Sequence, residues 1–232
     1  EATRSYEDLA AENEQLKQQV NELNQQLVEF YQYKQENSQL KNYLGLKENN
    51  PDYQFVSASV INRDPNNLYY TFTLDQGSNA GVKVNDPVIT DQGVVGWVSQ
   101  VSAMYCEVTT ILSPDTNISA TDKVNRESGT ISSNAQLSDQ GLIKLGLLEA
   151  GTTVQEGDII VTSGIGGKFP KDLLIGKAVE VKPEENDVSL YATVEPFVDI
   201  KTVRDVIIIT SFNGQGEVAD NTDTNNASSN GG

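Results

Sequence analysis

VNDPVIT at residues 84–90 is informative about the fold, because a similar sequence, EGDIIVT, occurs at residues 156–162. In each, a polar turn ending in Asp leads into an apolar run whose β-branched residues favour a strand. A turn and a second apolar run follow both copies: VVGWV at residues 94–98 and LIGKAV at residues 174–179. The repeat predicts two similar β units in tandem.

The sequence around this repeat, from Tyr53 to Phe212, alternates short runs of Val, Ile, Thr and Tyr with Gly, Asn, Asp and Pro. No convincing helix separates these runs. The pattern is typical of antiparallel barrels or sandwiches rather than of alternating strands and helices, so the fold class is mainly β. The predicted strands are residues 55–61, 69–74, 87–90, 94–101, 107–112, 118–121, 128–131, 142–147, 159–162, 174–181, 190–196 and 205–210.

The same sequence pattern predicts the domain boundaries. Residues 1–48 form a helix, residues 52–112 a first small antiparallel β-barrel, and residues 113–212 a second one. Whether strands exchange between the barrels is left open at this point. Residues 213–232 are almost free of large apolar side chains, so they cannot bury enough surface to order themselves. We expect them to form a disordered tail.

Residues 1–48 predict a coiled-coil helix that forms a homodimer. They contain no Pro, they have no Gly before Gly45, and their apolar residues recur in a heptad pattern. A strict seven-residue repeat with a narrow seam suits a partner helix better than the alternative, a helix packed on its own domain. The seam has Asn13, Val20 and Leu27 at its a positions and Leu9, Leu16, Leu23 and Phe30 at its d positions.

After Phe30 the heptad register shifts by a three-residue step, which locally overwinds a coiled coil. The second register consists of Tyr33, Asn37, Leu40 and Leu44. Asn13 and Asn37 at seam positions favour a parallel two-stranded pairing, because each can bond to its copy across a two-fold axis. Gly45 is predicted to cap the helix, and Pro51 to prevent its continuation.

Charge and composition exclude several classes of function. The chain has 33 Asp and Glu against 16 Lys and Arg, a net charge of -17, which disfavours nucleic acid and anionic lipid surfaces as partners. It has no histidine, so neither a Ser-His-Asp triad nor a histidine metal site can form. We expect no metal and no cofactor.

Two residues have potentially reactive side chains, but neither indicates a catalytic site. Ser163 lies in TSGIGG at residues 162–167, which superficially resembles a nucleophile loop, but the absent histidine favours a Gly-rich hairpin loop instead. Cys106, the single cysteine, falls in an apolar alternating stretch and is predicted to be a buried, inert thiol. No catalytic residue is assigned, and we expect the protein not to be an enzyme.

The Gly-rich loop is instead the candidate partner site. GIGGKFP at residues 164–170 distinguishes the second copy of the repeat from the first, and it carries Ile165 and Phe169. A glycine-rich loop near a cleft between two barrels can present apolar groups to a partner. The alternative is that both side chains plug their own barrel, and the sequence does not decide between the two.

The order of several short motifs resembles that of the rod-shape-determining MreC family of bacteria over roughly residues 36–212. None of the motifs is specific by itself, but their order and spacing together are. They are Glu36–Leu46, Val60–Pro65, Thr71–Ser78, Gly81-Val82, Pro87-Val88, Gly93–Gly96, Gly157-Asp158, Thr162–Gly164, Phe169-Pro170 and Leu174–Gly176.

This resemblance implies a cell-membrane protein with a single-pass anchor, here expected before Glu1, and with its bulk on the extracytoplasmic side. It implies two barrels distantly similar to trypsin-like proteases but non-catalytic. It also implies a scaffold of the cell-wall elongation machinery that controls cell shape, with a class B penicillin-binding protein and an MreD-like membrane protein as partners.

Two rival functions were weighed against this scaffold. A trypsin-like enzyme is opposed by the absence of histidine. A periplasmic adaptor of an efflux or secretion complex also joins a coiled coil to β domains, but such adaptors usually carry a helical hairpin with strands on both sides. A single N-terminal helix argues against that reading.

Overall fold

The computed structural model describes residues 6–63, 70–184 and 188–216. The chain divides into a helical unit, residues 1–50, and a β unit, residues 51–232. Most of the predicted tail, residues 217–232, lies outside the described residues.

The helical unit is one helix, α1, which spans Tyr6–Asn49. Gly45 lies inside it, so the prediction that Gly45 caps the helix is wrong. The helix ends at Asn49, and the backbone and side-chain amides of the next residue, Asn50, both donate to the carbonyl oxygen of Leu46, at 3.0 and 3.1 Å. Pro51 follows and cannot continue the helical hydrogen bonds.

The described part of the β unit contains twelve strands, each overlapping one of the twelve predicted ones. They are β1 Gln54–Arg63, β2 Thr71–Leu74, β3 Pro87–Ile89, β4 Val94–Val101, β5 Cys106–Thr110, β6 Ile118–Asp122, β7 Ser128–Ser132, β8 Ile143–Leu148, β9 Ile159–Thr162, β10 Leu174–Pro183, β11 Leu190–Pro196 and β12 Asp205–Ser211.

One short helix that the sequence analysis missed, α2, spans Ala135–Asp139 between β7 and β8. Asn134 caps it by accepting a hydrogen bond from the Leu137 N–H at 2.9 Å. Five residues make little more than one turn, which is too short to show a helical period in the sequence.

The strands close into two six-stranded antiparallel barrels. The first has the order β1-β12-β3-β4-β5-β2, and the second has the order β10-β11-β8-β7-β6-β9. Closure removes free sheet edges, and each barrel interior is filled by side chains. The first core includes Leu74, Val88, Val94, Val98, Val108 and Ile208, and the second includes Ile118, Ile131, Ile143, Leu145, Ile160 and Ile175.

The two barrels have the same strand order, but their strands come from different parts of the chain. Strands β1–β5 take the places in the first barrel that β7–β11 take in the second. The strand that follows each set completes the opposite barrel: β6 closes the second and β12 closes the first. The barrels therefore do exchange strands.

This exchange corrects one predicted boundary. The sequence analysis placed residues 205–210 in the second barrel, yet β12 pairs with β1 and β3 of the first. Chain order alone predicted the wrong barrel for these residues. A strand can pair with any strand whose edge is otherwise unpaired, however distant the two are in sequence. The first barrel is therefore discontinuous, with the second inserted between β5 and β12.

The turn at the start of each repeat, in residues 84–86 and 156–158, has the same structure in both barrels. Asn85 and Gly157 occupy the left-handed region, with φ of 74° and 98°. The next residue, Asp86 or Asp158, accepts a 2.7 Å hydrogen bond from the backbone N–H three residues earlier. This shared geometry supports the interpretation of the sequence repeat as a structural one.

Candidate partner-binding surfaces

The Ser163 loop has the geometry of a turn. The Ser163 Oγ accepts a hydrogen bond from the Ile165 N–H at 3.2 Å, and the Ser163 N–H donates to the Ser119 carbonyl at 3.0 Å. The loop connects β9 to β10, which pair as a hairpin. The prediction of a Gly-rich hairpin loop is confirmed.

Cys106 lies in β5 with its side chain fully buried in the first barrel. Burial, together with the nearby carboxylates of Asp86 and Asp75, raises the pKa of the thiol to about 11. A thiol that is both inaccessible and protonated is a poor nucleophile and a poor metal ligand. Among the described residues, no group of three or more acidic or Cys side chains is placed to hold a metal ion.

The two barrels meet at a close backbone contact. Gly93, in the turn between β3 and β4, approaches Leu174 at the start of β10, and a methyl group at Gly93 would lie 2.5 Å from the Leu174 carbonyl oxygen. The φ of Gly93 is 157°. Only a residue without a side chain fits this junction.

A lysine crosses the same junction. The ammonium group of Lys168, in the second barrel's loop, lies 4.1 Å from the ring centroid of Trp97 on β4 of the first barrel. Burial lowers the pKa of this ammonium. Both residues lie in stretches that the sequence repeat contains, VVGWV and GIGGKFP, but their contact could not be predicted because they are far apart in the chain.

The segment after β12 adds a further link between the barrels. The Gln215 amide donates to Oδ1 of the buried Asp86 at 3.1 Å, and the Gly216 N–H donates to the Gly167 carbonyl at 3.0 Å. Phe212 is buried nearby, with its ring 6.1 Å from that of Tyr53. Residues 212–216 therefore contact both the first barrel and the second barrel's Gly-rich loop.

The structure separates the two residues of the candidate partner site. Phe169 is only 3% exposed, whereas Ile165 is 63% exposed. Burial favours the plug for Phe169. Ile165 and Phe169 both line a cleft of about 330 Å³ together with Ile118, Ser119 and Lys168. This cleft belongs to the second barrel rather than to the space between the barrels.

The helix carries a stripe of exposed apolar side chains. The predicted seam leucines Leu9, Leu16, Leu23 and Leu27 are between 50 and 62% exposed in the single chain, and Val20 and Phe30 fall within the same range. Asn13 and Asn37 are also exposed. The side chains of Leu40 and Leu44 lie outside the described residues. Large apolar groups at heptad spacing on a long helix are typical of a surface that pairs with another helix.

Within the described ranges, no helix combines the length and the apolar character that crossing a bilayer requires.

Comparison with known families identifies the chain. The signature of the family described as "Rod shape-determining protein MreC, barrel core" matches residues 60–210. The cell shape-determining protein MreC of Listeria monocytogenes is 32% identical over 212 residues, which cover 91% of this chain and 72% of that protein. Its namesake from Escherichia coli is 29% identical over 88% of this chain and 55% of that protein.

Solved structures agree with this assignment. MreC from Listeria monocytogenes superposes with a TM-score of 0.66 at 30% identity, over 90% of this chain and all of that one. A structure described as a complex between penicillin-binding protein PBP2 and MreC from Helicobacter pylori has a TM-score of 0.55 over 68% of this chain and 99% of that one, and its 12% identity shows the fold alone. With two interlocked barrels, an N-terminal helix and a match across residues 60–210, this chain belongs to the rod shape-determining MreC family.

Proposed function

We propose that this chain is a non-enzymatic scaffold of the bacterial cell-wall elongation machinery, which controls cell shape by dimerising and by organising peptidoglycan synthases. The observation that carries the proposal is family membership, shown by the match across residues 60–210. The relatives are cell shape-determining proteins by name, and one of similar fold was solved in complex with a penicillin-binding protein.

The arrangement of the molecule suits a scaffold rather than a catalyst. A scaffold needs surfaces that hold partners at fixed positions, and two barrels that exchange strands and form one compact unit can offer such surfaces. Catalysis of hydrolysis at neutral pH needs a proton carrier, and the chain has no histidine to supply one. We propose on these grounds that the protein has no catalytic activity.

The helix supplies the proposed homodimer contact. Its exposed seam would be covered by the same seam of a second copy, which removes large apolar side chains from water. The further partners we propose are a class B penicillin-binding protein and an MreD-like membrane protein. We place the protein on the extracytoplasmic side of the cell membrane, held by a single-pass anchor.

The proposal is tested by measuring binding of this chain to the extracytoplasmic region of a class B penicillin-binding protein from the same bacterium, by calorimetry. We expect saturable binding, and no binding to a penicillin-binding protein of the same size from the division machinery. The variant Ile165→Ser, once shown to have the wild-type melting temperature, tests whether the exposed loop contributes to this binding. Absence of binding by the wild-type protein would refute the synthase-organising role.

A further inference from the structure

Strand β8 contains a bulge that reverses the direction of one leucine. Leu190 pairs with Leu148 and Ala192 pairs with Leu145, so two residues of β8, Gly146 and Leu147, lie opposite the single residue Tyr191. A bulge of this kind re-aims a side chain and is frequent beside binding sites. Here it turns Leu147 outward, while Leu145 and Leu148 on either side are buried in the second barrel.

The bulge holds Leu147 in an unfavourable backbone conformation. Its φ is 63°, in the left-handed region, where a bulky residue is rare and a glycine would be relaxed. The side chain gains little from burial in return, because it is 70% exposed. Strain at an exposed apolar residue has no stabilising purpose within the barrel, and such strain is found mostly where a surface serves binding.

Leu147 lines two adjoining clefts. One, of about 320 Å³, is apolar and is formed with Leu148, Ala150 and Val188, of which Val188 is 86% exposed. The other, of about 460 Å³, is formed with Glu127, Glu149 and Thr153. We call the two together the Leu147 groove. It offers an apolar wall on one side of Leu147 and carboxylates on the other.

The charge of the groove is of one sign. Glu127 is fixed by hydrogen bonds from the Thr153 N–H and Oγ at 2.7 and 2.9 Å. Burial acts to raise the pKa of Glu127, but the hydrogen bonds from Thr152 and Thr153 outweigh it and lower that pKa. Glu149 is exposed and borders both clefts. No Lys or Arg is among the described residues that line them.

We propose that the Leu147 groove is a docking site for a segment of a partner protein that carries a large apolar side chain next to Lys or Arg. The apolar side chain would lie against Leu147 and Val188, and the cation would face Glu149 and Glu127. A second copy of this chain is a poor occupant, because the groove favours a basic segment and the chain has only 16 Lys and Arg against 33 Asp and Glu. This inference rests on the proposed scaffold function and names the chemistry of a partner segment.

The first experiment titrates the full chain with two synthetic nine-residue peptides and follows its backbone amides by NMR. One peptide has a central Leu flanked by Arg, and the other has the same Leu flanked by Glu. We expect the Arg peptide to shift the amides of Leu147, Glu149 and Val188, and the Glu peptide to leave them unchanged. The shifts should weaken as salt is added, because the attraction is partly electrostatic.

The second experiment separates binding from stability. Leu147→Gly relieves the positive φ, so we expect an unchanged or higher melting temperature together with about a tenfold loss of affinity for the Arg peptide. Val188→Ser tests the other wall without touching the bulge. The matched control is Val124→Ser, which removes another exposed valine from the same barrel, outside the groove, and should bind as the wild type does.

Specific outcomes would overturn the proposal. It is wrong if the Arg peptide shifts none of these amides at millimolar concentration, if both peptides shift them equally, or if Leu147→Gly and Val188→Ser both bind as the wild type does. The scaffold function is judged separately, by binding of the wild-type chain to the penicillin-binding protein. If the chain binds that protein and the groove substitutions do not change the binding, the docking proposal is wrong and the scaffold function stands.

Discussion

Gly96 and Gly176 occupy the same place in the two barrels, and each lies against a backbone carbonyl of the neighbouring strand. A methyl group at Gly96 would stand 2.0 Å from the Thr109 carbonyl oxygen, and one at Gly176 would stand 2.2 Å from that of Glu195. Both distances are far inside van der Waals contact. The glycine that the two sequence repeats share is therefore a packing requirement of each barrel.

We expect Gly96→Ala and Gly176→Ala each to lower the free energy of unfolding by about 3 kcal/mol, because β4 or β10 must move away from its neighbour to admit the methyl group. Urea denaturation measures the loss. Gly146→Ala is the control, since its methyl group would meet nothing closer than 3.5 Å. Equal stability of all three variants would contradict the argument.

The strand exchange predicts how the β unit behaves when it is cut. Residues 51–112 alone lack β12, which contributes the buried side chains of Val206, Ile208 and Ile209 to the first barrel. Each is worth roughly 1.5–3 kcal/mol of burial, and the sum rivals the whole stability of a small domain. We expect this fragment to be unfolded by circular dichroism.

A matched chimera gives the positive control. Residues 51–112 joined through a flexible Gly/Ser linker of about ten residues to residues 204–212 contain all six strands of the first barrel. This chimera should show a cooperative thermal transition. If the fragment without β12 folds as well as the chimera does, then β12 is dispensable and the exchange does not lock the barrels.

Asp86 predicts a specific dependence of stability on pH. Burial raises its pKa, against the lowering effect of the hydrogen bonds from the Lys83 N–H and from Gln215. Between pH 3.8, which is the ordinary pKa of an Asp side chain, and the raised pKa of Asp86 in the folded state, the native state binds the carboxyl proton more tightly than the unfolded state does. The contribution of Asp86 to stability is therefore largest at low pH and is lost as pH rises through that window.

The test compares melting temperatures of the wild type and Asp86→Asn from pH 4 to pH 7. We expect the wild type to lose stability relative to the variant as pH rises, because Asn has no charge to bury. Asp158→Asn alters the same turn in the second barrel, where the carboxylate is only half-buried, and controls for the change in turn hydrogen bonding. A difference that grows in the opposite direction would show that the hydrogen bonds to Asp86 dominate over its burial.

The helix seam predicts the oligomeric state. Leu16→Asp with Leu23→Asp places two charges in the proposed dimer contact, where they cannot be solvated. We expect sedimentation equilibrium to give a dimer for the wild type and a monomer for this variant. The control is Gln18→Asp with Gln25→Asp, which adds the same charge at positions outside the seam and should remain a dimer. A dimeric seam variant would place the dimer contact elsewhere.

Features that arise from local periodicity could be predicted from the sequence. The heptad of α1, the alternation of the strands and the repeated Asp-containing turns each depend on neighbouring residues, so twelve strands and one long helix could be predicted. The buried state of Cys106 followed in the same way, from its place on an apolar strand face. The family resemblance rested on the order of these local motifs.

Strand pairing could not be predicted from the sequence, because it depends on groups that are distant in the chain. Nothing local to residues 205–211 shows that they close the first barrel, nor does any motif join Lys168 to Trp97. The fate of Phe169 and Ile165 was likewise settled by packing, since one loop holds both and only one fits inside. The exposed position of Leu147 could be recognised only from the pairing of β8 with β11. A register shift between these strands, and not the sequence around Leu147, turns its side chain to the surface.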